Sequence, residues 1–198
     1  MKRFLAIMTL VVQSFLLSSC SSSGMVSVYS QRTRQVLQAN PTFKNYIGPI
    51  LNHISHHTSI SNFTVQYTRP LDSHNRLSFY TYKIKGSLYQ GLVLMDKSHG
   101  QWGVEYASKT SRVSRSVAFT QMDMAGIDSQ HRAYFAVGGI ISNASIRAIN
   151  IYLVNNTLAQ VPILSNQKTY FFVNKGSQRG VTKIVGVNSH GTPVYKYQ

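Results

Sequence analysis

The sequence predicts a mainly β protein with a short N-terminal helical segment, in which antiparallel strands form a β-sandwich or a half-open barrel. Apolar and polar residues alternate along several stretches after residue 61, a period of two that is typical of strands with one buried face. These stretches recur roughly every 8 to 14 residues with turn residues between them, as in sandwiches and barrels. Only the segment before residue 61 shows the spacing of a helix.

The helical segment covers residues 30–60. A first helix is expected over 29–39, and Asn40-Pro41 marks a break and a new helix start. The second helix is expected to pack on the sheet through apolar residues at three- and four-residue spacing: Phe43, Ile47, Ile50, Leu51 and Ile54. Because proline removes a donor and clashes with the preceding turn, Gly48-Pro49 predicts a kink or two short helices.

The strands after residue 61 begin with a meander of consecutive antiparallel strands. Its strands are predicted at 62–68, 77–84, 88–95 and 101–106. The connections are a tight turn at Lys85-Gly86-Ser87 and a five-residue hairpin loop over 96–100. Alternation in the last strand places Trp102 and Tyr106 on the same buried face as Val104.

The rest of the chain is predicted to be short strands joined by loops. A basic loop over 109–116 is followed by a strand at 117–122, an irregular stretch at 123–130, and a strand at 131–137 that Gly138-Gly139 ends or bulges. Five more strands are expected: 149–154, an edge strand around Pro162, the buried aromatic strand 170–173, a last strand over 193–197 and, joined to it by a turn at 188–191, the strand 181–187. The residues expected to share one face of that strand are Val181, Lys183, Val185 and Val187.

The chain is strongly basic, with 20 Lys and Arg against 5 Asp and Glu and a formal charge of +15. Three interpretations stay open. The charge attracts polyanions outside the cell, such as teichoic acids, anionic lipid headgroups or nucleic acid; it reflects an acidic exterior, where a chain with few carboxylates has little to lose on protonation; or it serves solubility. A nucleic-acid-binding module is disfavoured, because the aromatic residues lie in strand patterns and no basic motif accompanies them.

The first 20 residues have the layout of a secretory signal. Lys2 and Arg3 precede an apolar stretch over 4–17, which is shorter than the ~20 residues of a transmembrane helix. Leu17-Ser18-Ser19-Cys20 follows, and Cys20 is the only cysteine. These four residues resemble the lipobox of bacterial lipoproteins. The resemblance implies cleavage before Cys20, a lipid on its thiol, and a protein held at the extracytoplasmic face of the cell membrane.

This resemblance divides the chain into a signal peptide at 1–19, a lipidated tether at 20–29 and a single domain at 30–198, antiparallel β from residue 61. The strand lengths over 145–198 also resemble the C-terminal part of small uncharacterised Gram-positive surface lipoproteins, a class that implies no known activity. With its sole thiol lipidated, the chain has no disulfide, thiolate nucleophile or cysteine-based metal site.

Three histidines form the first candidate site. On a helix, His53 and His57 share one face and His56 lies three residues from His53, a spacing at which two imidazoles bind a metal. No acidic residue nearby supplies a third ligand. The alternatives are a polar helix end, where cations interact well with the helix dipole, and a pH-sensing role.

Two acidic residues and two methionines form the second. Asp123 and Asp128 are candidates for the carboxylate pair of a glycoside hydrolase, and Met122-Asp123-Met124 is a candidate soft-metal site. Core methionines beside an exposed aspartate are the simpler interpretation. The sequence contains no G-x-S-x-G motif and no phosphate-binding glycine loop, so no catalytic residue is assigned.

Two further sets of residues are candidates for ligand binding. Arg112 and Arg115, in the basic loop, are candidates for binding a polyanion. Several aromatic residues would form a carbohydrate platform if they pointed outward, although the alternation pattern favours their burial: Tyr80, Tyr82, Tyr89, Trp102 and Tyr106.

We therefore expect a non-enzymatic surface protein, anchored to the membrane by a lipid on Cys20, that binds an envelope component such as an anionic cell-wall polymer, or a protein partner. No cofactor is expected. The alternative is a cell-wall hydrolase or metal-binding protein that uses His53, His56 and His57. An exclusion or immunity lipoprotein is a third possibility.

Overall fold

A computed structural model describes residues 43–55, 59–128, 130–154, 156–176 and 180–197. These residues form one helix, α1 (Phe43–Ser55), and twelve strands. The strands are β1 (Ser61–Pro70), β2 (Asn75–Ile84), β3 (Ser87–Ser98), β4 (Gln101–Ala107), β5 (Ser111–Arg112), β6 (Met122–Ile127), β7 (Ala133–Ile140), β8 (Ala148–Leu153), β9 (Leu158–Pro162), β10 (Thr169–Lys175), β11 (Val181–Val187) and β12 (Pro193–Tyr197).

The strands form three antiparallel sheets, which confirms the predicted fold class. The first sheet has the order β1-β2-β3-β4, and β5 pairs with β3. The second has the order β10-β7-β6, and the third has the order β12-β11-β8-β9. The sheets are open and pack on one another as in a β-sandwich, and the predicted edge strand around Pro162 is β9, at the edge of the third sheet.

The hydrophobic core lies in three layers between these elements. One cluster joins α1 to the first sheet, a second joins the first sheet to the second, and a third joins the second sheet to the third. The central strand of the second sheet, β7, is therefore buried on both faces. Along β7, Tyr134 and Ala136 contact the first sheet, while Phe135 and Val137 contact the third. This double burial explains why β7 is apolar throughout.

The helix packs on the first sheet as predicted, but it does not divide in two. It continues from Phe43 to Ser55 with Pro49 inside it. Tyr46, Ile47 and Ile50 are buried against the sheet. This packing outweighs the loss of one backbone hydrogen bond at the proline, because tertiary contacts supply most of the stability of a short helix.

The five-residue loop predicted over 96–100 is wrong. β3 continues to Ser98, and only His99 and Gly100 form the turn, with φ values of 50° and 81°. Positive φ at both central residues is typical of the type I′ turns whose twist matches two-residue hairpins. The predicted turn at Lys85-Gly86 has the same form, with φ values of 45° and 80°.

A bulge in β4 overturns the predicted burial of Tyr106. Met95 pairs with Val104, but Leu94 pairs with Tyr106, so Glu105 is an extra residue in the strand. One extra residue moves the following side chain to the other face. Trp102 and Val104 pack against the α1 cluster as predicted, whereas Tyr106 is 56% exposed.

The boundaries predicted between residues 117 and 140 are also wrong. Residues 123–127 belong to β6, whereas the predicted strand at 117–122 has only an isolated bridge between Phe119 and Ile141 before β6 begins at Met122. β7 continues through Gly138 and Gly139. A Cβ on Gly139 would lie 1.9 Å from the backbone oxygen of Thr120, so this glycine permits a close approach of two chain segments.

The prediction that Val181 shares one strand face with Val185 and Val187 is wrong. A register shift separates Val181 from Lys183 in the pairing of β11 with β8. Val185 and Val187 lie in a small outer cluster, whereas Val181 packs against the core between the second and third sheets. The predicted helix at 29–39, the break at Asn40-Pro41 and the lipobox lie outside the described residues.

Candidate functional site

The long strands give the molecule two ends with different charge. β2 begins at Asn75 and ends at Ile84, and β3 returns antiparallel to it. A strand of this length spans roughly 30 Å. The starts of β2 and β7 and the end of β3 form what we call the carboxylate end, and the opposite ends of these strands form the basic end.

Four of the five acidic residues lie at or near the carboxylate end: Asp72, Asp96, Glu105 and Asp128. Asp72 and Asp128 are joined by Arg132, whose Nη2 lies 3.1 Å from Asp72 Oδ2 and 2.9 Å from Asp128 Oδ2. Asp96 and Glu105 are joined by the buried side chain of Asn75, whose Nδ2 donates to Asp96 Oδ1 at 3.3 Å and to Glu105 Oε2 at 3.1 Å. Each carboxylate thus shares a bridging side chain, either Arg132 or Asn75, with a second carboxylate.

The crowding shifts two carboxyl pKa values in opposite directions. Burial raises the pKa of Glu105, and the charges of Asp96, Asp128 and Asp72 raise it further. Burial also acts to raise the pKa of Asp128, but hydrogen bonds from Arg132 and Gln130 and the guanidinium charge outweigh it and hold that pKa below its ordinary value. The carboxylate end therefore contains one group that favours protonation and one that resists it.

The basic end contains a cleft of about 660 Å³ in which both predicted polyanion-binding arginines lie. β5 pairs with the start of β3, with Arg112 opposite Tyr89, and Val113 N donates to Leu88 O. This pairing places the loop with Arg115 on the cleft. The cleft is lined by Gly86, Ser87, Leu88, Arg112, Val113, Ser114, Arg115, Ile140 and Ser142.

The two arginines have no carboxylate partner in the described part of the chain. Both ion pairs there belong to Arg132 at the other end of the strands. Arg112 and Arg115 are exposed. A guanidinium presents five donors in a planar fork that matches phosphate and carboxylate geometry, so this cleft has the donors and the charge to bind an anion.

A second cleft, of about 550 Å³, adjoins the first. Leu88 and Ile140 line both clefts. The second cleft adds Lys168 and Asn166, from the loop before β10, and Gln66 and Thr81, from β1 and β2. Gln66 Nε2 donates to Thr81 Oγ1 at 2.9 Å, and the amide oxygen of Gln66 receives no hydrogen bond from the described residues, so it can accept one from a ligand. We call the two clefts together the groove.

The histidine site is only partly described. His53 is exposed in the last turn of α1, while His56 and His57 lie outside the described residues. Within the described ranges, no group of three or more His, Cys, Asp or Glu residues is placed to hold a metal ion. The metal site therefore stays a prediction for His56 and His57.

The structure separates the predicted carboxylate pair. Asp123 begins the exposed face of β6 and Asp128 follows its end. At the rise of a strand the two residues lie roughly 15 Å apart, whereas the carboxyl groups of glycoside hydrolases are about 5 to 9.5 Å apart. The pair is therefore wrong. Met122 and Met124 are buried in the core, as the simpler interpretation expected.

The aromatic residues do not form one outward-facing platform. Tyr80 and Tyr82 are buried, with ring centroids 6.2 Å apart, and Tyr89 stacks next to Tyr82 at 5.6 Å. Trp102 packs edge-to-face against Tyr46, at 5.2 Å, beneath the guanidinium of Arg76. Of the five residues, only Tyr106 is largely exposed.

Sequence reasoning missed the grouping around Asn75 and the contribution of Lys168 to the groove. A signal for the first existed: a two-residue hairpin turn at Lys85-Gly86 places Asn75 opposite Asp96 by register alone. Glu105 and Lys168 had no such signal, because a bulge and a contact between sheets decide their positions.

No protein-family model, curated protein or solved structure matches this chain. Of the helices in the described ranges, none has the length and apolar character needed to cross a membrane.

Proposed function

We propose that this protein is a non-enzymatic binding module of the cell envelope, held at the extracytoplasmic face of the membrane by a lipid on Cys20. Its basic end binds an anionic envelope component. The observation that carries the proposal is the cleft containing Arg112 and Arg115, two exposed guanidiniums without a described carboxylate partner.

The distribution of charge supports this proposal over a general role in solubility. At the carboxylate end, the acidic residues are balanced by nearby bases such as Arg132. The loops of the basic end contribute Lys85, Arg112, Arg115, Arg147 and Lys168, and the one acidic residue toward this end, Asp123, lies in β6 opposite Val137. A positive potential at one end attracts and orients a polyanion, which an even distribution would not do.

The binding test is co-sedimentation of the full-length protein, in mild detergent, with purified cell wall at low and high salt. Binding should be strong at low salt and lost at high salt, since neutralising a polyanion releases counterions. The double variant Arg112→Gln/Arg115→Gln should bind about a hundredfold more weakly, since each arginine loses a charge-assisted hydrogen bond. The control Arg69→Gln/Arg76→Gln has the same net charge but changes exposed arginines toward the carboxylate end, and it should bind like the parent.

Two results would contradict the binding proposal. Equal loss in both double variants would show that net charge alone governs sedimentation. Binding that does not change with salt would show that phosphate-type contacts are not its source.

The anchor is tested separately with Cys20→Ser. The parent protein should partition into the detergent phase with its acyl chains, and a variant that is cleaved but not lipidated should leave it, because each buried CH₂ contributes about 0.8 kcal/mol. If the variant shows no acyl mass difference from the parent by mass spectrometry, the lipid on Cys20 is ruled out.

A further inference from the structure

We propose that the ligand of the basic end is a linear polymer in which phosphate groups alternate with hydroxyl-bearing units, and that it lies along the whole groove. This inference rests on the proposed function and names the class of ligand. It distinguishes a polymer outside the membrane from the anionic headgroups of the membrane itself.

The shape of the groove favours a chain over a surface. The two clefts, of about 660 and 550 Å³, are joined by Leu88 and Ile140, which line both. A linear polymer can enter a concave groove along its length. A bilayer presents a broad surface, which contacts the rim of such a groove and leaves its floor unfilled.

The lining of the groove alternates in chemical character. Arg112 and Arg115 supply cations in the first cleft and Lys168 supplies one in the second. The residues common to both clefts are the apolar Leu88 and Ile140. Each cleft also has neutral polar side chains beside its cations, Ser87 and Ser142 in the first and Thr81 and Gln66 in the second.

A ligand must match this alternation to bind well. An uninterrupted polyanion would place charged groups against the neutral middle of the groove, where they lose hydration without gaining a cation. A polymer with polyol or sugar units between its phosphates would place hydroxyls there, and these bond to serine, threonine and amide groups. Guanidiniums bind the phosphates in bidentate fashion.

The test uses the full-length lipidated protein in nanodiscs of phosphatidylcholine. The probes are fluorescent poly(glycerol phosphate) and inorganic polyphosphate with the same number of phosphates. The first should bind about tenfold or more tightly than the second. Arg112→Gln and Lys168→Gln should each weaken poly(glycerol phosphate) binding about tenfold, since each loses a charge-assisted hydrogen bond at one end of the groove.

A third variant separates the polymer from the membrane. Leu164 is 73% exposed in the loop before Lys168 and is the large apolar side chain that a bilayer would bury at this end. Leu164→Ser should leave polymer binding unchanged. The parallel measurement is hydrogen exchange of residues 111–116 in nanodiscs with and without phosphatidylglycerol, and it should show no difference.

The contrary outcomes are distinct. Equal affinity for both polymers would overturn the alternating ligand while leaving the proposed function intact. Protection by phosphatidylglycerol that Leu164→Ser abolishes would overturn it in favour of the membrane. Binding of no anion in any format would overturn both the inference and the proposed function.

Discussion

Asn75 and Glu105 are separated by 30 residues in the chain, yet the side-chain amide of Asn75 donates a hydrogen bond to the carboxylate of Glu105 at 3.1 Å. The same amide nitrogen donates to Asp96 at 3.3 Å. Asn75 is fully buried. A neutral amide therefore holds two carboxylates side by side at a position where a cation would be the usual partner.

Replacing this amide should destabilise the fold. Asn75→Ala leaves two carboxylates facing each other without their shared donor, and should lower the free energy of unfolding by about 1–3 kcal/mol in urea titrations. Gln160→Ala is the control, because Gln160 donates to Asn150 at 2.8 Å on an exposed surface. That variant should lie within about 0.5 kcal/mol of the parent. Similar losses of unfolding free energy in both variants would show that the buried Asn75 bridge contributes no more stability than the exposed hydrogen bond of Gln160.

The contribution of Glu105 to the stability of the folded state should increase as the pH falls. Burial, with the charges of Asp96, Asp128 and Asp72, raises the pKa of Glu105, so the folded state binds this proton more tightly than the unfolded chain. Stability from this group is present in acid and is lost as the pH rises through the folded-state pKa. Glu105→Gln should therefore melt higher than the parent at neutral pH, and the gain should vanish in acid. A constant difference across the pH range would refute this.

Asp128 should act with the opposite sign. Burial is outweighed by hydrogen bonds from Arg132 and Gln130, so the pKa of Asp128 is lowered. Its stabilisation is present above the unfolded-state pKa and is lost as the pH falls through the folded-state value. Asp128→Asn should be about 1–3 kcal/mol less stable than the parent at neutral pH, and the two proteins should converge in acid. Melting curves over the same pH series as for Glu105→Gln measure both effects.

The buried hydroxyl of Tyr80 should be a net cost to the fold. Tyr80 is fully buried, and among the described residues its hydroxyl has no hydrogen-bond partner. Tyr80→Phe removes an unpaired polar atom and should raise the free energy of unfolding by about 1 kcal/mol. Tyr170 is the matched case, since its buried hydroxyl donates to Thr120 O at 2.9 Å. Tyr170→Phe should lower stability by about 1 kcal/mol, and a loss of equal size in Tyr80→Phe would reveal a partner such as a bound water.

Two glycines in strands should respond differently to the same change. A Cβ on Gly139 would lie 1.9 Å from the backbone oxygen of Thr120 and 2.7 Å from Tyr170 Cε1, whereas a Cβ on Gly103 would meet nothing within 4 Å. Gly139→Ala should cost about 3 kcal/mol through overpacking, and Gly103→Ala should lie within about 0.5 kcal/mol of the parent. Chemical unfolding compares them, and a tolerated Gly139→Ala would mean that β7 can shift away from Thr120.

Local patterns predicted most strands but failed wherever one residue or one distant contact decided the geometry. The alternation of apolar and polar residues does not show where a bulge lies, because the extra residue of the bulge is an ordinary residue of the same strand. Tyr106 and Val181 therefore lie on faces opposite to those predicted. The sequence predicts that Gly138-Gly139 ends a strand or forms a bulge, whereas β7 continues through both residues. The close approach of Thr120 that Gly139 permits comes from another part of the chain and has no local signal.

The sequence by itself determined the class of the fold, the strong positive charge and the basic loop with Arg112 and Arg115, since periodicity, composition and local turn chemistry are properties of neighbouring residues. Only the tertiary structure decided where the charges lie. Acidic residues spread from Asp72 to Asp128 come together because successive antiparallel strands return the chain to the same end. Lys168 reaches the groove of Arg112 through packing between sheets. Charged residues that are far apart in the sequence form a binding surface only when strand register and sheet packing bring them together.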